Sequence, residues 1–115
     1  MSAKKVYFDT IRSIAFGSIS GTYAALGTPL DVNGRIICFT NRTQGDVIIS
    51  TDSTNADGQI LVPANSFKLY DFTANLVSGK DDSFVLAVGT QFYVKQLAAP
   101  VSGSVYIEII YGEPT

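Results

Sequence analysis

The stretch Gly103-Ser104-Val105-Tyr106-Ile107-Glu108-Ile109-Ile110-Tyr111 decides how the rest of the chain is read. Along an extended strand, successive side chains point to opposite faces. Val105, Ile107, Ile109 and Tyr111 fall in one set, and Ser104, Tyr106, Glu108 and Ile110 in the other. The first set is predicted to face a core. The second is mostly polar or amphipathic but includes Ile110, so the outward face of this strand is only partly suited to water.

Working outward, short apolar runs recur at 11–19, 35–41, 46–51, 59–62, 66–73, 83–88 and 91–97, before the closing run at 103–111. Turn formers divide them: Thr43-Gln44-Gly45, Asn55-Ala56-Asp57-Gly58, Pro63-Ala64-Asn65, Ser78-Gly79-Lys80, Val88-Gly89-Thr90 and Pro100-Val101-Ser102-Gly103. Gly and Asn tolerate the positive φ of tight turns, and Pro presets φ. No segment sustains a helical period. One turn of helix is conceivable at 72–77, and 22–29 reads as an extended arm, a loop or a short helix stopped by Pro29. Eight short strands in 115 residues predict an all-β fold, a jelly-roll-like or Greek-key antiparallel β-sandwich. A single domain is expected over 11–112, with 1–10 as a flexible N-terminal arm.

Composition narrows the chemistry. There is no His, so neither a Ser-His-Asp nor a Cys-His arrangement can be assembled within the chain. The one Cys, Cys38, allows no internal disulfide and no Cys-rich zinc site. Its setting in Arg35-Ile36-Ile37-Cys38-Phe39-Thr40 predicts a small buried hydrophobe rather than a nucleophile. Asp52-Ser53-Thr54-Asn55-Ala56-Asp57-Gly58 has the outline of a calcium loop, but Ala64 stands where the bidentate Glu belongs, so it reads as a turn. Asp81 and Asp82 sit in a solvated turn. No phosphate-binding loop is present. No catalytic residue, metal or cofactor is expected, and the protein is not read as an enzyme. The eight Lys and Arg are scattered and the net charge is -2, which does not suit nucleic acid. No run approaches a membrane span of about 20 residues. No signal peptide is expected, so the glycosylation match Asn41-Arg42-Thr43 is read as idle.

Charged residues make up 16 %, where an average soluble domain has about 25 %. Mean hydropathy is +0.23. Several strands are apolar on both faces: Phe67 and Leu69 alternate with Tyr70 and Phe72, and Phe92 and Val94 with Tyr93. A sandwich covers one face of each sheet. Apolar patches on the second faces would mark interaction sites. The residues predicted to form them are Tyr70, Phe72, Tyr93, Tyr106 and Ile110. A homo-oligomer, a trimer among the candidates, would bury them. The competing expectation is that the long segment 17–34 roofs one sheet. A further reading of the tyrosines is sugar stacking, hence a glycan-binding module.

Longer phrases carry a resemblance. They are Arg12-Ser13-Ile14-Ala15-Phe16-Gly17-Ser18-Ile19-Ser20 with Tyr23 and Leu26-Gly27-Thr28-Pro29-Leu30, then Phe39-Thr40-Asn41-Arg42-Thr43 with Gly45-Asp46-Val47-Ile48-Ile49-Ser50. Val62-Pro63-Ala64-Asn65-Ser66-Phe67-Lys68-Leu69-Tyr70-Asp71, Gly89-Thr90-Gln91-Phe92-Tyr93-Val94-Lys95 and Ser102-Gly103-Ser104-Val105-Tyr106-Ile107-Glu108 continue it. Over about residues 11–112 the chain resembles small structural proteins of tailed bacteriophages. That resemblance implies a virion component made in the host cytoplasm, a β-sandwich that decorates or cements the head shell. Its implied partners are itself and other virion proteins such as the major capsid protein. The alternatives it leaves are a neck, tail or fibre adaptor.

Overall fold

The computed structural model describes residues 6–54, 58–72 and 86–112. It is an antiparallel sandwich of two sheets. Strands are β1 (Val6–Phe8), β2 (Arg12–Ala15), β3 (Ala24–Leu26), β4 (Gly34–Asn41), β5 (Val47–Ser50), β6 (Gln59–Val62), β7 (Ser66–Asp71), β8 (Phe92–Gln96) and β9 (Ser104–Gly112). The five-stranded sheet runs β1-β9-β4-β7, with β2 also on β9 beside β1. The four-stranded sheet runs β3-β8-β5-β6. Pairing β2 with β9, β3 with β8, β4 with β7 and β5 with β6 folds the chain back on itself from its ends inward. This is the jelly-roll wiring.

The core sits between the sheets. β4 and β9 supply Ile37, Phe39, Val105, Ile107 and Ile109, all buried. The other sheet answers with Leu26, Val47, Ile49, Val62, Phe92 and Val94. Phe39 is central, edge-on to Phe92 at 5.5 Å and to Tyr70 at 5.9 Å between ring centroids. Such T-shaped pairs add to the stabilisation from area burial alone. The alternation predicted for 104–111 holds for Val105, Ile107 and Ile109, each at most 1 % exposed, but Tyr111 of the same set is only half-buried and stacks on Tyr7 outside the core.

Several expectations are corrected. The run 11–19 is not one strand: after Ala15, Phe16–Ser18 form a 3-10 turn. Residues 6–8 of the expected arm are strand β1, held on β9 by the register Tyr7↔Tyr111, with those two rings stacked at 5.4 Å. The segment 17–34 does not roof a sheet. It contributes β3 to the four-stranded sheet, and Ile19, Leu26 and Leu30 enter the core. Of the expected strand 83–88 and helical turn 72–77, residues 83–85 and 73–77 lie outside the described residues. Leu86 makes a single bridge to Gly34. Cys38 is not in the core, since its neighbours Ile37 and Phe39 take the inward positions and leave it half-buried on the outer face.

Arg12 is the one buried charged side chain among the described residues, at 7 % exposure. Its Nη1 pairs with the Asp9 carboxylate at 2.8 Å and reaches Thr10 O. Its Nε donates to Thr28 O at 2.8 Å and its Nη2 to Pro29 O at 3.3 Å. The fork therefore ties the β1–β2 corner to the chain after β3. Arg12→Ala strips the partly buried Asp9 carboxylate and three backbone carbonyls of their donor. It is expected to destabilise by about 2–3 kcal/mol, read as a lower denaturant midpoint at unchanged slope. Arg12→Lys, lacking the planar fork, should fall between.

Candidate binding face

Register fixes which side chains share the outer face of the five-stranded sheet. Ile36 stands opposite Asp71 on one side and Ile110 on the other, and Ile110 is in turn opposite Phe8. The next row is Leu69, Cys38 and Glu108, and the one after that Phe67, Thr40, Tyr106 and Ser13. Phe8 is 79 % exposed, Phe67 65 %, and Ile11 and Leu69 each 58 %. Three aligned rows so lightly charged form a contiguous apolar surface, which a solitary subunit leaves in water.

The middle of this face is concave. Phe8 and Ile11 on the β1–β2 side and Leu69 on the β7 side bound a depression of about 370 Å³. Its floor is Ile36, Cys38 and Ile110, with Glu108 set among them. Asp9 lies on the rim, its carboxylate engaged by Arg12. The Cys38 thiol has the Thr40 hydroxyl at 3.6 Å. Among the described residues no three His, Cys, Asp or Glu side chains converge as a metal site. The face offers shape and hydrocarbon area.

The opposite outer face carries a polar cluster. The Lys95 ammonium lies 4.8 Å from the Tyr23 ring centroid, and Gln59 Nε2 donates to the Tyr23 hydroxyl at 2.9 Å. Tyr93 stands between Ala25 and Ser50 on this same side, half-buried. Beside this polar, hydrogen-bonded cluster the same face carries Ile48 and Leu61, paired with each other, Leu61 being exposed.

The five residues predicted for an interface do not lie together. Tyr106 and Ile110 are on the outer face of the five-stranded sheet, and Ile110 lines the depression. Tyr93 is on the far side of the molecule. Tyr70 and Phe72 face inward and pack on the core, which corrects their assignment to an outer face. The physical reason is register: Tyr70 pairs with inward Ile37, while Leu69 pairs with outward Cys38. Sequence reasoning missed Phe8, Ile11, Ile36, Phe67 and Leu69 as surface residues. The one available signal was Asp71 and Thr73 sharing the alternation of Phe67 and Leu69, which marks that set as the wetter one. Comparison with family models, with curated proteins and with solved structures found no match.

Proposed function

We propose that the protein is a non-enzymatic structural component of a bacteriophage virion. In this reading it is a jelly-roll module that decorates or cements the head shell through the outer face of its five-stranded sheet. The observation that carries it is the apolar surface on which Phe8, Ile11, Phe67 and Leu69 stand exposed around half-buried Ile36 and Ile110. The resemblance over residues 11–112 supplies the biological setting, and jelly rolls serve widely as capsid building blocks. Fold alone does not assign a role, so the face and the resemblance support the reading together.

Quantitative mass spectrometry of purified particles tests it. Hundreds of copies per particle are expected for shell decoration. A dozen or fewer would move the protein to a neck, tail or fibre position, and its absence from particles would overturn the reading. Phe8→Ser with Ile11→Ser is expected to leave the melting temperature within a few degrees, since both side chains are mostly exposed. The same pair should cut binding of an apolar-surface dye and incorporation into particles several-fold. The glycan-binding alternative has the Tyr23, Gln59 and Lys95 cluster in its favour. A sugar would compete with the ammonium already seated on that ring. Binding on a glycan array that Tyr23→Ala abolishes would favour it.

A further inference from the structure

The outer face of the five-stranded sheet has a fourth row beyond Phe67, Thr40 and Tyr106. Arg42 N donates to Ser104 O at 3.0 Å, and Ser104 stands opposite Ala15. Arg42 follows buried Asn41, so alternation turns its side chain outward, where it lines a shallow cleft with Thr40 and Phe67. Two opposite charges thus lie on one face at different heights. Glu108 stands in the second row among the apolar residues of the depression, and Arg42 in the fourth. Both residues are exposed, and among the described residues neither side chain has a hydrogen-bond or ion-pair partner. Asp9, on the rim, is by contrast already held by Arg12. Cys38 sits opposite Glu108 on β4, four residues before Arg42, so the two charges are about 14 Å apart along the strands. Within one subunit they do not meet.

We propose that two copies of this chain pack face to face through this sheet, about a twofold axis that runs across the strands along the row of Phe67, Thr40 and Tyr106. This deepens the structural reading above and rests on its adhesive face, for it names the neighbour that covers it. Rotation about that axis reverses strand direction and carries the fourth row of each copy over the second row of the other. Arg42 then stands above Cys38 of the other copy, one strand spacing of about 4.8 Å from that copy's Glu108. Packed sheets lie about 10 Å apart, a gap that an arginine and a glutamate bridge between them. The depression lies off the axis, so it receives this side chain instead of meeting a second depression. The arginine stem lies on Ile36, Cys38 and Ile110, and the guanidinium docks on the Glu108 carboxylate. Symmetry forms the ion pair twice. Charge rejects the other stacking. A twofold axis along the strands keeps each row over itself, which brings Glu108 beside Glu108 and Arg42 beside Arg42, and like-charge juxtaposition of this kind excludes wrong arrangements.

The test is charge reversal in the full chain, read by sedimentation equilibrium. The parent is expected to be a dimer at micromolar concentration. Glu108→Arg and Arg42→Glu should each weaken it at least about tenfold, because each sets like charges against one another at both contacts. Mixed in equal amounts, those two variants should associate with each other, since one copy then brings only arginines to the contacts and the other only glutamates. Glu108→Arg with Arg42→Glu in one chain should restore the homodimer. Both positions are exposed, and melting curves confirm that every variant is folded. A parent that stays monomeric across the concentration range would overturn the pairing. So would a dimer that survives both single reversals, a mixture that fails to associate, or a double variant that remains monomeric. Each of these results leaves the structural role standing, because particle composition judges that separately.

Discussion

Gly103→Ala should leave the domain largely unfolded. Gly103 has φ +90, a conformation in which a Cβ is strained. A methyl group there would also land inside the van der Waals envelope of the Arg42 carbonyl oxygen, and backbone cannot swing aside as a side chain can. The close approach exists because Arg42 N donates to Ser104 O at 3.0 Å, where β4 leaves the sheet and β9 enters it. Separating the strands to admit the methyl would break that bond and lift Val105 from the core. Strain and clash together are expected to remove about 4 kcal/mol or more, a large share of the 5–15 kcal/mol typical of a domain. Far-UV circular dichroism with a urea titration reads this directly. A variant within about 1 kcal/mol of the parent would show that the corner relaxes freely. Gly45→Ala is the natural companion, because its Cβ would strike the Ala98 carbonyl oxygen at the neighbouring turn. The two glycines let two chain crossings pass at backbone contact.

Asn41→Ala is expected to be nearly as severe. Asn41 is fully buried at the end of β4. Its Nδ2 donates to Gly45 O at 2.8 Å and to Val62 O at 3.1 Å. Its Oδ1 accepts from Thr43 N at 2.9 Å and from Thr43 Oγ1 at 2.7 Å. One amide thus shapes the β4–β5 turn and ties it to β6. Truncation removes all four bonds and leaves buried backbone groups without those partners, about 3–4 kcal/mol in sum. Asn41→Asp should be no better, since it keeps the acceptor but loses both donors and buries a charge. Thermal denaturation compares the three, and an Asn41→Ala melting temperature within a few degrees of the parent would refute the knot's importance. The same geometry disposes of the glycosylation match Asn41-Arg42-Thr43. Both donor hydrogens of the Asn41 amide are in use and the side chain has no exposure, so the folded protein cannot carry a glycan there.

Asn41 and Thr43 show why part of the fold is hard to read from letters alone. The motif looks like a surface acceptor because its residues are polar. Only the crossing of β4, the turn and β6 puts them out of water. Arg12 is similar, a charge whose burial depends on carbonyls of Thr28 and Pro29, distant in sequence.

The short runs, the glycine and proline punctuation and the alternation through 104–110 were enough to determine a β-sandwich with Val105, Ile107 and Ile109 inside. A strand's period is local, and it needs only one face to be drier than the other. The lack of histidine and the lone cysteine likewise ruled out whole chemistries before any fold was known. Where both alternating sets are apolar, as in Phe67 and Leu69 against Tyr70 and Phe72, the period carries no sign. Tertiary register supplied it: Tyr70 beside Ile37 turns inward, Leu69 beside Cys38 turns out, and β1 pairs onto β9 to set Phe8 beside Ile110. The location of the apolar outer face is therefore a property of strand pairing between residues far apart in the chain, which no single stretch of sequence contains.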